Sequence, residues 1–345
     1  MVFLKNKQTI HRIWKTFFFS VGLVLGLLIL QKAVLPSPVP SDSWPGYLKL
    51  EKNSIDVLFV GNSHAECTFA PMEIYQETGV ASWVMKSGGI NTRQKLAYLE
   101  EALKTQHPKL IMFEVYGFHI PTRNTDIQNA SAFLWMPDGL SKASAIFATS
   151  EATATPSLLF PLIRYHSRVL EKPSVPAVEN MQYTGGALAL TDYNSSDINA
   201  LLKQAKESPA PLLTAQQMDE NMSYLVQASE IAHKYHCRLV FTISPLLDQS
   251  LIAECNQIKQ RIIDSPELSD NAVLDMNDHY QSIGLVQTDF RDTGHLYLTG
   301  LKKTSRWTAR VVLPQYGVKK ATVLSAVQKQ WWNEQSSLWA EKYNN

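Results

Sequence analysis

Three apolar runs constrain this chain most. Ile55–Val60 reads IDVLFV and stops at Gly61, Lys109–Val115 reads KLIMFEV, and Arg238–Ile243 reads RLVFTI and stops at Ser244-Pro245. None alternates apolar with polar residues, as a strand with one wet face would. Short continuous apolar strands are buried on both faces, which is the habit of parallel sheets covered by helices on each side. Ser82–Met85 and Val273–Asp275 are shorter strand candidates. Thr92–Gln106 places Leu96, Leu99 and Leu103 on one helical face. Thr214 and Gln217 form a capping box ahead of an apolar stripe of Met218, Met222 and Leu225. Leu251–Ile263 and Leu301–Val312 are further helices. The order predicts a doubly wound α/β layer with a parallel sheet. Residues 118–213 break the rhythm: they are rich in Ala, Ser, Thr and Pro, with aromatic clusters at Phe133–Trp135 and Phe160–Tyr165. They are expected to form an insertion, part helix and part loop. The tail from Thr322 carries Trp331, Trp332 and Trp339; helix packing on the body competes there with a membrane or carbohydrate contact.

The N-terminus sets the compartment. Thr16–Leu30 (TFFFSVGLVLGLLIL) has no charge and is flanked by Lys15 and Lys32. About 20 apolar residues cross a bilayer, and lysine stems can snorkel at its ends. Residues 1–15 hold Lys5, Lys7, Arg12 and Lys15 and no acid. They are expected to stay in the cytoplasm, with 16–35 an uncleaved signal-anchor and the body outside. This predicts a single-pass cell-membrane protein with an extracytoplasmic body. Pro36, Pro38, Pro40 and Pro45 predict a stiff linker over 36–50, and 51–345 is read as one domain.

The chain of 345 residues is 45% hydrophobic and 18% charged, which excludes a mostly disordered protein and a multi-span one. A formal charge of +1 gives no basic field for nucleic acid. Cys67, Cys237 and Cys255 are too few for a disulfide framework. His233, His236 and Cys237 straddle a helix end and a strand start, so their side chains diverge. No metal or cofactor is expected.

The residues that carry chemistry lie at strand ends. Gly61-Asn62-Ser63-His64 follows the first strand, where ligands bind in a doubly wound sheet. Asp292-Thr293-Gly294-His295 supplies an acid and an imidazole from one loop. A serine nucleophile needs a base within hydrogen-bond reach, and that base needs an orienting acid. Ser63, Asp292 and His295 are therefore the candidate triad. Gly88 and Gly89, after the second strand, can present an N–H to an oxyanion alongside that of Ser63. His64 is a candidate substrate contact or a support beside the site. Glu114 and Tyr116 are placed at a strand end facing the presumed cleft, where substrate contact competes with ordinary hydrogen bonding. Cys67 is read as buried filler, and Tyr165-His166-Ser167-Arg168 as a polar surface cluster of the insertion.

These residues resemble the SGNH/GDSL hydrolase superfamily, especially its membrane-anchored bacterial envelope branch of DltD-like and AlgJ-like acyltransfer proteins. The resemblance rests on Ser63 within VLFVGNSHAE, Gly88 or Gly89 within KSGGINT, and Asp292 and His295 within FRDTGHLYLTG. It covers roughly residues 54–117 and 238–312. It implies a three-layer αβα, flavodoxin-like fold with an added anchor and insertion. The sequence departs from the pattern after the third strand, where FEVYGFHI has no asparagine. Asn91 and Tyr116 are the candidate substitutes for that oxyanion donor. A G-x-S-x-G elbow is absent, against an α/β-hydrolase.

The resemblance implies a serine esterase or O-acyltransferase acting on acetyl or D-alanyl esters of a cell-surface polysaccharide or teichoic acid. A membrane-bound O-acyltransferase is its implied partner. The competing function is a non-catalytic envelope assembly or binding protein that keeps the fold.

Overall fold

The computed structural model describes residues 7–39, 42–170, 183–193, 197–209, 212–318 and 322–343. Five strands form one all-parallel sheet: β1 Val57–Gly61, β2 Ser82–Lys86, β3 Leu110–Glu114, β4 Arg238–Ile243 and β5 Ala272–Asp275, in the order β2-β1-β3-β4-β5. All five sit where the apolar runs predict strands. Along β1, Leu58 and Val60 join one buried cluster while Val57 and Phe59 join the other. The period of two therefore sends alternate side chains to two helical layers, which is why no strand needs a polar face.

The first layer takes α5 (Thr92–Ala102), α11 (Ala215–Lys234) and α12 (Gln249–Ile263). The second takes α3 (Ser63–Glu66), α4 (Pro71–Thr78), α14 (Leu298–Trp307) and a π-turn at Thr308–Val312. Two short helices, α13 (Tyr280–Ile283) and α15 (Leu313–Gln315), close the second layer. The predicted insertion contains α6 (Asp126–Phe133), α7 (Leu140–Thr149), α8 (Thr155–Leu159), α9 (Pro161–Tyr165) and α10 (Ile198–Glu207).

The N-terminal helix α1 runs Lys7–Ala33, longer than the uncharged run, because Ile10, Ile13 and Trp14 extend its apolar surface. Ile10–Ala33 spans 24 residues, the most apolar 18 of which have a mean hydropathy of 2.1, and is long enough to cross a membrane.

The stiff linker expected over 36–50 is corrected, since part of it packs on the body. Pro38 is buried, and α2 (Ser43–Tyr47) buries Trp44 and Tyr47 against the body. Ser43 bridges to β2, accepting from Lys86 N–H and donating to Lys86 O, each at 3.0 Å. Proline content alone carried no sign of these aromatic anchors.

The tail forms α16 (Ala326–Tyr343), whose Trp332 and Trp339 are fully buried. Trp332 stacks on Tyr75, and the Trp339 indole donates to Glu73 at 3.1 Å. Trp332→Ala should destabilise the folded body by about 3–5 kcal/mol through the cavity it leaves. Guanidinium unfolding of the detergent-solubilised chain checks this; a change under 1 kcal/mol, about the size of an ordinary surface substitution, would contradict the packing.

Candidate active site

The chain leaves β1 at Gly61 and enters α3 within two residues. Asn62 is the cap: its Oδ1 accepts the His64 N–H at 3.0 Å. Ser63 thus begins a helix at the carboxyl edge of the sheet, where its own N–H has no helical partner. Beneath it lies Glu114 at the end of β3. Its carboxylate accepts the Asn62 N–H at 3.2 Å and the Ser244 hydroxyl at 2.5 Å. Only glycine fits opposite: a Cβ on Gly61 would stand 2.4 Å from Ala65 Cβ and 2.7 Å from Glu114 Oε2.

Ser63 meets the late loop. Its Oγ lies 2.8 Å from His295 Nε2. His295 Nδ1 lies 2.9 and 3.0 Å from the two Asp292 oxygens. Asp292 Oδ1 also accepts the main-chain N–H groups of Gly294 at 2.9 Å and His295 at 2.8 Å, so the loop is a closed turn around its carboxylate. Burial pushes the Asp292 carboxyl up. The His295 hydrogen bond and charge and these N–H groups outweigh it and hold the carboxyl at about 2. Any stability this gives is full above the ordinary carboxyl value and is lost only as pH falls through about 2. Asp292 thereby fixes the proton on Nδ1 and leaves Nε2 to accept from Ser63.

His64 lies under this triad. Its ring stacks on Tyr116, with centroids 3.7 Å apart, and sits 4.6 Å from the His295 ring. Burial first, then the neighbouring His295 ring, holds its pKa well below the usual histidine value. It is neutral, and its Nδ1 has no hydrogen-bond partner among the described residues. Being almost wholly buried, it supports the base and offers substrate little surface. Tyr116 is half-buried and stands at the site's edge, its ring against His119, which pairs with Glu254 at 2.9 Å.

Two of the candidate contacts need correction. Glu114 is buried at the back of the nucleophile turn with both oxygens engaged, so it does not face a cleft. Asn91 is committed to capping α5: it accepts the Gln94 N–H at 3.0 Å and donates to Pro121 and Thr122 carbonyls at 3.0 and 2.8 Å. It has no donor left for an oxyanion. Of the glycines, Gly89 sits at φ +65° and shapes the turn, and its carbonyl accepts from Asn124 at 2.8 Å. Gly88 is exposed, with open space where a Cβ would be. Register pairs Gly61 with Lys86, so two residues on, Ser63 and Gly88 leave neighbouring strand ends. Cys67 is buried, and burial pushes its thiol up to about 12.

Sequence reading missed Asn62, Ser244 and Lys95. Lys95 of α5 is fully buried and donates to the carbonyls of Glu114 at 3.0 Å and Tyr116 at 2.5 Å. Burial lowers its pKa to about 8, with the Glu114 charge opposing. Only Asn62 left a local signal, an N-cap residue just ahead of the serine.

No protein-family model matches the chain, and no curated protein matches it.

A Cβ on Gly294 would lie 2.3 Å from His64 Cε1. Gly294→Ala should therefore move the loop and separate His295 from Ser63; misplacement by about 1 Å costs about 10² in rate. The rate of fluorophosphonate labelling checks this. Adding His64→Ala should restore part of the rate by making room. An unchanged rate in Gly294→Ala would contradict the packing.

Proposed function

We propose that the chain is a membrane-anchored serine esterase or O-acyltransferase of the SGNH type, with its body outside the cytoplasm. The observation that carries this reading is the unbroken line Ser63 Oγ, His295 Nε2, His295 Nδ1, Asp292, each step at 2.8–3.0 Å. The strand order 2-1-3-4-5 is the flavodoxin-like doubly wound order, and Ser63 stands at its switch point between β1 and β3.

In this mechanism His295 takes the Ser63 proton as Oγ attacks an ester carbonyl. Asp292 stabilises the imidazolium that forms. The tetrahedral oxyanion lies toward the Ser63 and Gly88 N–H groups, and the imidazolium gives its proton to the departing alcohol. The acyl group, now on Ser63, passes to water or to a hydroxyl that His295 deprotonates in turn. Hydrolase and transferase share the first half of this cycle. The membrane anchor favours transfer or polymer tailoring over scavenging of soluble esters, and the SGNH resemblance points to acyl groups of a cell-surface polysaccharide or teichoic acid, beside a membrane-bound O-acyltransferase.

One observation favours the alternative, an envelope assembly protein that keeps the fold without catalysis: Asn91 is engaged elsewhere and does not supply the third oxyanion contact. Loss of one such donor costs about 10²–10³ in rate, so slow turnover on simple esters is expected. The two readings part in the cell. At equal protein level, Ser63→Ala should strip ester-linked groups from the surface polymer. Equal decoration in wild type and Ser63→Ala would overturn the catalytic reading and leave the assembly role.

A further inference from the structure

Helix α1 is exposed along residues 10–29; cover begins at Leu30 and Gln31, and Val34 is buried. Helix α9 of the insertion packs against α1. The turn that starts α9 bares two large apolar side chains: Phe160 is 56% exposed and Ile163 is 54% exposed. The Ile163 N–H bonds to Phe160 O at 2.9 Å, so the two belong to one turn. Arg164, Tyr165, His166 and Arg168 follow directly. Arg164 ties the turn down, pairing with Asp126 of α6 and donating to Ser157 at 3.1 Å. Its α6 neighbour Ile127 is 80% exposed.

Apolar side chains bared next to a helix able to cross a membrane, with a tyrosine just behind them, have the chemistry of the lipid–water boundary. There the apolar groups enter the acyl region and the tyrosine sits among headgroups. We infer that the Phe160–Arg168 corner is a second membrane contact, resting on the bilayer surface from which α1 emerges. Lipid is the occupant because the patch adjoins α1, whose exposed surface carries no charge from Thr16 to Ile29. The inference rests on α1 lying in a membrane and not on the catalytic reading.

The contact would fix how the body stands. From Ala33 to Ser43 the chain reaches at most about 36 Å even fully extended. Val34 and Pro38 are packed within it, and Ser43 is pinned to the end of β2. Two points of attachment would hold the carboxyl edge of β1 and β2, with Ser63, near the lipid surface. Acyl donors or acceptors carried on lipid are then within reach, and soluble ones gain nothing from the arrangement.

The full chain, reconstituted in nanodiscs of equal phosphatidylcholine and phosphatidylglycerol, tests this. Single cysteines replace Phe160, Ile163, Phe18 in α1, and Val323, which is 97% exposed on the body. Each carries an NBD fluorophore; the three native cysteines are buried. Brominated lipid should quench the probes at 160, 163 and 18 and spare the probe at 323, while aqueous iodide should quench only 323. Lipid quenching at 18 with iodide quenching at 160 and 163 would overturn the second contact. Shielding of 160 and 163 from both quenchers would assign the patch to protein and overturn it too. Iodide quenching at 18 would overturn the membrane reading of α1, and this inference with it.

Discussion

A carboxylate buried at the end of β3 holds the site together. Glu114 has no access to solvent, and burial raises its pKa against the opposing charge of Lys95 and the hydrogen bonds of Ser244 and Asn62. It gathers two separate segments, the β1 turn through Asn62 and the β4 end through Ser244, while Lys95 of α5 grips the Glu114 and Tyr116 main-chain carbonyls beside it. Breaking a buried charged network of this kind costs about 3–5 kcal/mol. Here the cost would fall on the turn that presents Ser63. The nucleophile's placement therefore comes from the parallel sheet beneath it: β1 and β3 are neighbours, and Gly61 leaves the space that the Glu114 side chain fills.

Two histidines of different character follow from that frame. His295 is held from one side by Asp292 and faces Ser63 on the other. His64, stacked on Tyr116 and buried, stays neutral and forms the wall against which the late loop closes. Gly294 lets that loop approach His64 so closely, because any side chain would collide with the ring. Tyr116 is the side chain that links this wall to the His119–Glu254 pair at the far edge. The base is thus held by packing as well as by hydrogen bonds, which preserves its aim on Ser63.

The parts of the architecture governed by local pattern were legible in the sequence. Three continuous apolar runs and two shorter candidates marked the five strands, because burial on both faces leaves no alternation in the central ones. The α11 capping box was readable from Thr214 and Gln217, since both bonds are local. The serine could be named from its position after a strand and the aspartate and histidine from their shared loop, and the structure brings them within hydrogen-bond distance. What failed was long-range. Nothing near Glu114 in the sequence reveals that Ser244, 130 residues on, takes one of its oxygens, so a supporting carboxylate read as a cleft residue. Asn91 is a different failure: Asn-x-x-Gln is itself a capping signature, and a helix cap explains it without any role at the site. The linker erred because prolines were weighed while Trp44 and Tyr47 were not.

The central claim is that Ser63 is an activated nucleophile rather than a turn serine that happens to lie near a histidine. Mass spectrometry of the fluorophosphonate-treated chain tests it most directly, comparing wild type with His295→Ala. The account predicts a single covalent adduct, on the peptide containing Ser63, that is lost when His295 is replaced. No adduct at Ser63 in wild type, or an adduct formed equally fast without His295, would contradict it.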